Sequence, residues 1–546
     1  MHILKWIPPR ANLIVEFGCG DGGFGEKFKQ IHPQCKYIGV ETDVKTAMLA
    51  ATKLDQVLVE DISQINLLKN GIFLNAIDCL IYRGIDDWGN TTLEGIVRNS
   101  EFLREDGQII LTVPNGGYIR NIVGLFSGRG EYKQILPIEK IKSALESAGL
   151  LVYDIMAYTD KADEAFIQNE QIVQGIHLLA EPFDHEIDMK TIWHKGYILR
   201  VTKRKKPLQP LLLQSMLGEV KVCARVRIVE PHGFCETIPG VKVVNKAFSA
   251  DLTVGDAYQR KVFIRQRIWS DLPKAAEELK ILVSRGYLVV SEMDDDPQRW
   301  EEHQKNDFFA FRGCHAVQAS TPELAEYLRQ FNPNVAVFPN QLAVLPPKRM
   351  HSNTDMVNLV FGALNREDDW QDLMPVLNEV LTTHKNRIRV RVIYDKKFFD
   401  RLHIENKEFI PFCPYPVYNQ ILHSSDIALL PLLDNRFNRM KSDLKFIECA
   451  SHGVAVLASP TVYKETIKPG MTGLVYHDID EFRRCLMELI ENDMFRCDIS
   501  DNAYRYVRDY RLLSDHYEVR YNWYSQLVDN LPRLNQELFK RNKELW

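Results

Sequence analysis

The chain has no CxxC pair among its ten cysteines and no grouping of cysteine and histidine at zinc-ligand spacing. That excludes a zinc ribbon or finger and points to reduced thiols in a cytosolic compartment rather than to a disulfide framework. No stretch reaches the about 18 consecutive apolar residues that read as a membrane-crossing helix. The opening MHILKWIPPRANLIVEFG lacks the layout of a secretory signal. Neither sign of charge is in excess: the net charge is −5 and the pI is near 6.3, which leaves no global electrostatic case for nucleic acid. What is present is ordinary for a globular protein, 45% hydrophobic and 26% charged. At 546 residues the chain exceeds what one core organises, and about three units are expected.

The join between halves lies at residues 199–210, LRVTKRKKPLQP. A β-like run ends there, a basic cluster (Lys203, Arg204, Lys205, Lys206) follows, and Pro207 and Pro210 deter a helix or a central strand. The cluster is expected to be solvated; peripheral contact with an anionic membrane surface is the alternative.

Before the join, LIVEF (13–17) leads straight into GCGDGGFG, a helix-like run, and a second strand ending at Glu41. Glycines there permit a tight turn and close approach of a ligand to bare backbone, and a helix N-terminus offers free N–H groups. An acid closing the second strand is placed for ribose hydroxyls. Gly18, Gly20 and Gly23 fit GxGxxG, which by itself fits a nicotinamide site as well. The order EFGCGDG, YIGVETD, VEDI, IDCLIY, LREDGQIILTVPN resembles a class I S-adenosylmethionine-dependent methyltransferase over residues 1–205. The resemblance implies that Glu16, Gly18, Gly20 and Gly22 surround the methionine part of S-adenosylmethionine, that Glu41 holds its ribose, and that Asp61 meets the adenine, with Val40 and Ile62 beside the ring. The stretches where relatives carry a histidine and an aromatic–basic segment read YRGIDDWGN and RNIVGLFSGRGEY. Asp86, Asp87 and Tyr118 are the candidates there for methyl transfer to a hydroxyl. Residues 155–195 carry acidic helical patterning and are expected to form a lid or a structural excursion.

After the join, strands and helices alternate again, from 220–229 through KVFIRQR (261–267), a helix at 272–285 and YLVVSEMDD (287–295). The pattern restarts at about 357, so two adjacent Rossmann-like lobes with a cleft between them are expected. In KSDLKFIECASHG (441–453) Ser442 reads as an N-cap, and Lys441 and Lys445 flank a helix start suited to an anion. Glu448 is three residues beyond Lys445 on the same face. The ordered set FGALNREDDW, DIALLPLLDN, KSDLKFIECASHGVAVLAS and KETIKPGMTGLVY resembles the C-terminal lobe of a retaining, family-four-type (group 1) GT-B glycosyltransferase, and CHAVQASTPELAEYLRQFNPNVAVFPNQL resembles the end of its N-terminal lobe. The resemblance implies that Gly362 and Arg366 approach the diphosphate of a nucleotide-sugar donor, that Lys441 and Lys445 neutralise it, that Ser442 lies beside it, that Glu448 binds ribose, and that no metal is needed. Relatives carry a second glutamate where this chain has Met440; Ser442, Asp443 and Asn438 are the nearby substitutes. Arg225, Arg227, Arg265 and Arg267 are expected at strand ends, as surface charges or facing an anionic acceptor. The run Asp294, Asp295, Asp296 satisfies D-x-D, so a divalent-cation site is the rival reading.

The expected fold is therefore α/β with three Rossmann-like units: a methyltransferase domain at 1–205, a linker at 206–218, GT-B lobes at 219–348 and 349–530, and a helical tail at 531–546 that returns to the first lobe. The expected function is bifunctional, cytoplasmic glycan biosynthesis. A sugar passes with retention to a saccharide, lipid-linked glycan or protein acceptor, and S-adenosylmethionine methylates a hydroxyl. The alternatives are a glycosyltransferase with a silent methyltransferase-like domain, or a non-catalytic scaffold.

Overall fold

The computed structural model describes residues 3–85, 88–121, 135–160, 174, 191–203, 209–218, 221–258, 260–268, 271–349, 356–364 and 366–545. The chain forms two compact units, Met1–Gln209 with Glu236–Val241, and Pro210–Cys235 with Lys242–Trp546.

In the first unit the short apolar runs become β1 (Leu13–Phe17), β2 (Lys36–Val40), β3 (Gln56–Leu58), β4 (Ile77–Tyr82), β5 (Leu103–Pro114), β6 (Leu151–Tyr158) and β7 (Gly196–Thr202). They form one sheet in the order β3-β2-β1-β4-β5-β7-β6. β1 to β5 are parallel, and β7 runs antiparallel to both β5 and β6. Alternation along each strand divides the side chains between two cores. Val15, Ile38, Leu80 and Ile109 pack with Leu93, Ile96, Ile141 and Leu145 on one face. Ile14, Tyr37, Cys79, Ile81 and Ile110 pack with Phe28 and Ala50 on the other. A doubly wound dinucleotide sheet continues 3-2-1-4-5-6 in parallel; the antiparallel β7 wedged beside β5 departs from that continuation.

Two expectations for this unit change. Residues 151–158 are strand β6, so the helical patterning assigned from residue 155 begins inside a strand. Lys203 is not simply solvated: its ammonium donates to Asn75 Oδ1 (3.1 Å), Leu103 O (3.2 Å) and Glu101 O (3.4 Å), tying down the chain just past β7. Arg204, Lys205, Lys206 and Pro207, and most of the 155–195 insertion, lie outside the described residues.

The second unit holds two parallel sheets. The first lobe orders β8 (Leu211–Leu217), β9 (Val241–Ala247), β10 (Arg260–Gln266), β11 (Tyr287–Met293), β12 (Ala316–Ala319) and β13 (Val335–Val337) as β13-β12-β11-β10-β8-β9. The second orders β14 (Val357–Gly362), β15 (Ile388–Ile393), β16 (Lys407–Ile410), β17 (Ile427–Leu430), β18 (Ala455–Ala458) and β19 (Leu474–Val475) as β16-β15-β14-β17-β18-β19. Numbered within that lobe this is 3-2-1-4-5-6, with every pairing parallel. The order reverses between β14 and β17, the switch point outside which ligands bind in such sheets.

Residues placed in the linker supply β8, a nearly fully buried strand paired to β10. Pro210 precedes it, which a strand start tolerates. Where a strand is expected over 220–229, the described residues are helical: Lys221–Ala224, a π-turn at Arg225–Val229, and Glu230–Cys235 run in series. Their Val/Ile alternation is strand-like, but tertiary packing overrides it. The return to the first lobe also starts before the expected tail. Leu342 and Leu512 form a parallel bridge, and the Tyr517–Asp529 helix already bonds Gln318 through Tyr524 Oη (2.6 Å). The Leu531–Arg541 helix follows, with Arg541 Nη2 donating to Cys314 O (2.6 Å). Among the described residues no helix is long and apolar enough to cross a membrane.

Candidate functional site

At the switch point of the second lobe, Gly362 ends β14 and Leu430 ends β17. A cavity of about 280 Å³ opens there, lined by Gly362, Arg366, Lys441, Ser442 and Lys445 from this lobe and by Arg267, Asp294, Asp295 and Asn340 from the first lobe. Five of the six donor-binding candidates thus meet at one place. The Leu444–Ser451 helix that carries Lys445 ends in Gly453 at φ +69°, a left-handed turn that favours glycine. Lys445 donates to the Gly362 carbonyl. Its side chain opens to the cleft, yet the protein crowded around it and then the Arg366 guanidinium weaken its hold on a proton, to about 8. Burial also lowers the Lys441 pKa; Asp295, 3.2 Å away, opposes this. Arg366 is oriented by Asn438 Oδ1 (2.7 Å) and Asp369 Oδ2 (3.0 Å).

Glu448 lies one helical turn deeper and is buried. Tyr415 Oη donates to its Oε1 (3.2 Å) and Tyr418 Oη to its Oε2 (3.3 Å). Burial raises its pKa to about 7, against the tyrosine bonds and the charge of Lys445. The tyrosines were not anticipated; their i,i+3 spacing behind Pro414 is the signal that was available.

Met440 is 4% exposed and belongs to the first lobe's apolar cluster. Of its three nearby substitutes, Asp443 is paired with Arg511 (2.6 and 2.9 Å), and Asn438 is buried, bonded to Asp369, Leu433 and Arg366. Ser442 alone of the three lines the cavity, accepting from Asn340 Nδ2 (2.8 Å). It is not the helix cap: Asp443 occupies that position, and no side chain closes the cap.

The arginines are not surface charges. Arg227 is 1% exposed and paired with buried Glu292 (2.7 Å), and it also donates to Asn340 Oδ1 (2.9 Å). A buried ion pair thus positions the asparagine that holds Ser442. Arg225 stacks on Tyr415, 3.3 Å from its ring centroid. In the acidic run, Asp294 meets Arg267, Asp295 meets Lys441 (3.2 Å) and Arg267 (3.7 Å), and Asp296 meets Arg436 (3.3 Å). A divalent cation would have to displace three protein cations, so the D-x-D reading does not fit this turn. Among the described residues no group of three or more His, Cys, Asp or Glu is arranged to hold a metal.

In the first unit the glycine loop follows β1 beside the reversal between β1 and β4. Gly18 (φ +71°) is pressed against the Arg83 carbonyl, and Gly22 (φ +76°) against Ala50. Gly20 (φ +57°) faces open space; its N–H donates to Glu41 Oε2 (2.9 Å). Glu41 and the glycine loop are therefore adjacent at one sheet edge, an arrangement that fits a cofactor with a ribose lying against bare backbone. Asp61 is exposed and accepts from Ser63 N (2.7 Å). Glu16, expected at the ligand, is instead fully buried: Arg83 Nε (2.9 Å) and Tyr37 Oη (3.0 Å) take its oxygens, and burial raises its pKa to about 7. It braces the loop from below. Val40 points into the core, and Ile62 packs partly buried against it. Tyr118 is 5% exposed. Asp86 and Asp87 lie outside the described residues.

Residues 374–518 match the family described as glycosyl transferase-like. The matched residues lie in the lobe that carries Lys441, Lys445 and Glu448. No curated protein matches the chain. Among solved structures, a variant of S. aureus TarM in complex with fondaparinux, α-GlcNAc-glycerol and UDP is 12% identical, with 48% of this chain and 55% of that one covered and a TM-score of 0.38. The chain therefore spans about half the length of that protein. Anabaena HepE in complex with UDP and glucose is also 12% identical, covering 59% of this chain and 99% of that one at a TM-score of 0.40. A SAM dependent methyltransferase from Archaeoglobus fulgidus is 14% identical, covering 37% of this chain and 90% of that one at a TM-score of 0.27.

Proposed function

We propose that the GT-B unit transfers a sugar from a nucleotide-sugar donor to a hydroxyl of a saccharide, lipid-linked glycan or protein acceptor, with retention and without a metal. The observation that carries this is the convergence of Lys441, Lys445 and Arg366 on one cavity at the second lobe's switch point. As the bond from the anomeric carbon to the diphosphate breaks, negative charge collects on the departing oxygen, and these preorganised cations stabilise it. The acceptor oxygen forms the new glycosidic bond, and its proton leaves with the diphosphate. Glu448, fixed by Tyr415 and Tyr418, retains a lone pair on each oxygen for ribose hydroxyls.

The first unit is proposed to bind S-adenosylmethionine, which supplies an electrophilic methyl group. Gly20 leaves room beside the backbone, Glu41 accepts from the ribose and Asp61 from the adenine amino group. A second reading keeps this domain as a binding module without methyl transfer, favoured by the burial of Glu16 and Tyr118. Together the two units are assigned to glycan biosynthesis.

The test is the pH dependence of nucleoside diphosphate binding. Lys445 is cationic below its pKa of about 8 and neutral above it, so affinity falls as pH rises from 7.5 to 9.5. Lys445→Arg, charged throughout, flattens that part of the titration. A wild-type affinity constant across this range contradicts the role given to Lys445.

A further inference from the structure

Beside the donor cavity the first lobe holds a second, larger one, about 660 Å³, at the C-terminal ends of β8 and β10. Its lining includes Arg265, Arg267, Lys274, Glu278, Phe248 and Trp300. Among its described lining residues three cations stand against one carboxylate. Arg267 lines both cavities, so a molecule held here lies next to the donor site.

Arg265 is the informative residue. It is 5% exposed, and the only hydrogen bond of its side chain to a described residue runs from Nη2 to Glu278 Oε2 at 3.3 Å. Its Nε is buried without a partner among the described residues. A buried guanidinium normally satisfies its donors, because each one left unmade costs about 1–3 kcal/mol. Glu278, a third exposed, offsets the charge only in part, and burial lowers the arginine's pKa. Trp300 adds a broad apolar face with the Arg267 guanidinium 5.5 Å from its ring centroid, and Lys274 stands exposed at the rim. Arg267 and Phe248 both hold left-handed backbone, at φ +49° and +53°, a conformation that costs non-glycine residues about 1–3 kcal/mol and clusters at ligand sites.

We infer that this cavity receives an anionic saccharide acceptor, with a carboxylate or phosphate on the acceptor sugar held by Arg265 and Lys274 and the sugar ring against Trp300. The inference rests on the glycosyltransferase reading and names the acceptor class for it. The arginine fork suits either oxyanion bidentately, and the aromatic face suits the apolar side of a pyranose.

The experiment is a ligand-observed NMR titration of the full chain with methyl glucoside, methyl glucuronide and glucose 6-phosphate, repeated on Arg265→Gln and Lys274→Glu. Wild type is expected to bind at least one charged probe tenfold or more tighter than the glucoside, and the better of the two identifies carboxylate or phosphate. Arg265→Gln loses that preference. Lys274→Glu, at an exposed rim position that leaves the core untouched, weakens the charged probe by threefold or more. Nucleoside diphosphate binding, measured on the same samples, stays intact in both variants and reports separately on the donor site. Equal binding of neutral and charged sugars by wild type, or a preference surviving both substitutions, overturns the anionic acceptor; loss of nucleotide binding by wild type overturns the donor reading instead.

Discussion

Replacing Lys445 with alanine is expected to lower sugar turnover by about 10²–10³-fold, the range seen when one preorganised stabiliser of a departing charge is removed. The thermal transition should move little. The side chain opens to the cleft, its one hydrogen-bond partner among the described residues is the Gly362 carbonyl, and alanine has the highest helix propensity. Lys441→Ala should cut turnover comparably but also destabilise. Its ammonium is paired with Asp295 on the facing lobe, and removing it leaves that buried carboxylate with the Asp296 N–H (3.1 Å) and, as its nearest described cation, the more distant Arg267 at 3.7 Å. Turnover and thermal melts of the two variants side by side separate chemistry from structure. If Lys445→Ala keeps wild-type turnover, the cavity at the second lobe's switch point is not where the diphosphate departs.

The second large effect is expected in the first unit, where two glycines four residues or fewer from β1 respond differently. A methyl group on Gly18 would lie 1.9 Å from the Arg83 carbonyl oxygen in a backbone at φ +71°. Strain and overpacking together cost about 2–5 kcal/mol, so Gly18→Ala should lower the melting temperature of the first unit or unfold it. A methyl group on Gly20 meets nothing within 4 Å. Its cost is only the left-handed backbone, about 1–2 kcal/mol, and the group projects into the open side of the loop. Gly20→Ala should stay folded at moderate temperature and bind S-adenosylhomocysteine at least tenfold more weakly. Denaturant unfolding with calorimetric binding checks both. Unchanged binding by folded Gly20→Ala contradicts the loop as a ligand face.

Much of this architecture was legible because the relevant patterns are local. LIVEF followed by a glycine-rich turn specifies a buried strand and a loop, and KSDLK before an apolar-faced helix specifies an anion-suited turn. The parts that were not legible depend on distant partners. Residues 220–229 alternate like a strand, yet 221–229 are helical, which lets Arg227 reach Glu292 on β11 and Asn340 beyond β13. LLLQSML looked like the end of a linker because the prolines around it break structure; its place as a buried strand was set by β10. Ser442 has the chemistry of a cap, but Asn340 holds its hydroxyl, and the cap position falls on Asp443, whose carboxylate turns to Arg511. The family resemblance implies a ligand role for Glu16; strand alternation directs it into the core with Tyr37 and Arg83.

The most direct measurement is a thermal-shift screen of the full chain and of the Lys441→Ala/Lys445→Ala double variant against UDP, GDP, ADP and S-adenosylhomocysteine. A ligand that binds only the folded state adds about 2.7 kcal/mol of stability at a hundred times its dissociation constant. One nucleotide should stabilise the wild type and lose that effect in the double variant, while S-adenosylhomocysteine should stabilise both proteins equally. Nucleotide stabilisation that survives the loss of both lysines, or its absence from the wild type, would contradict the donor site described here.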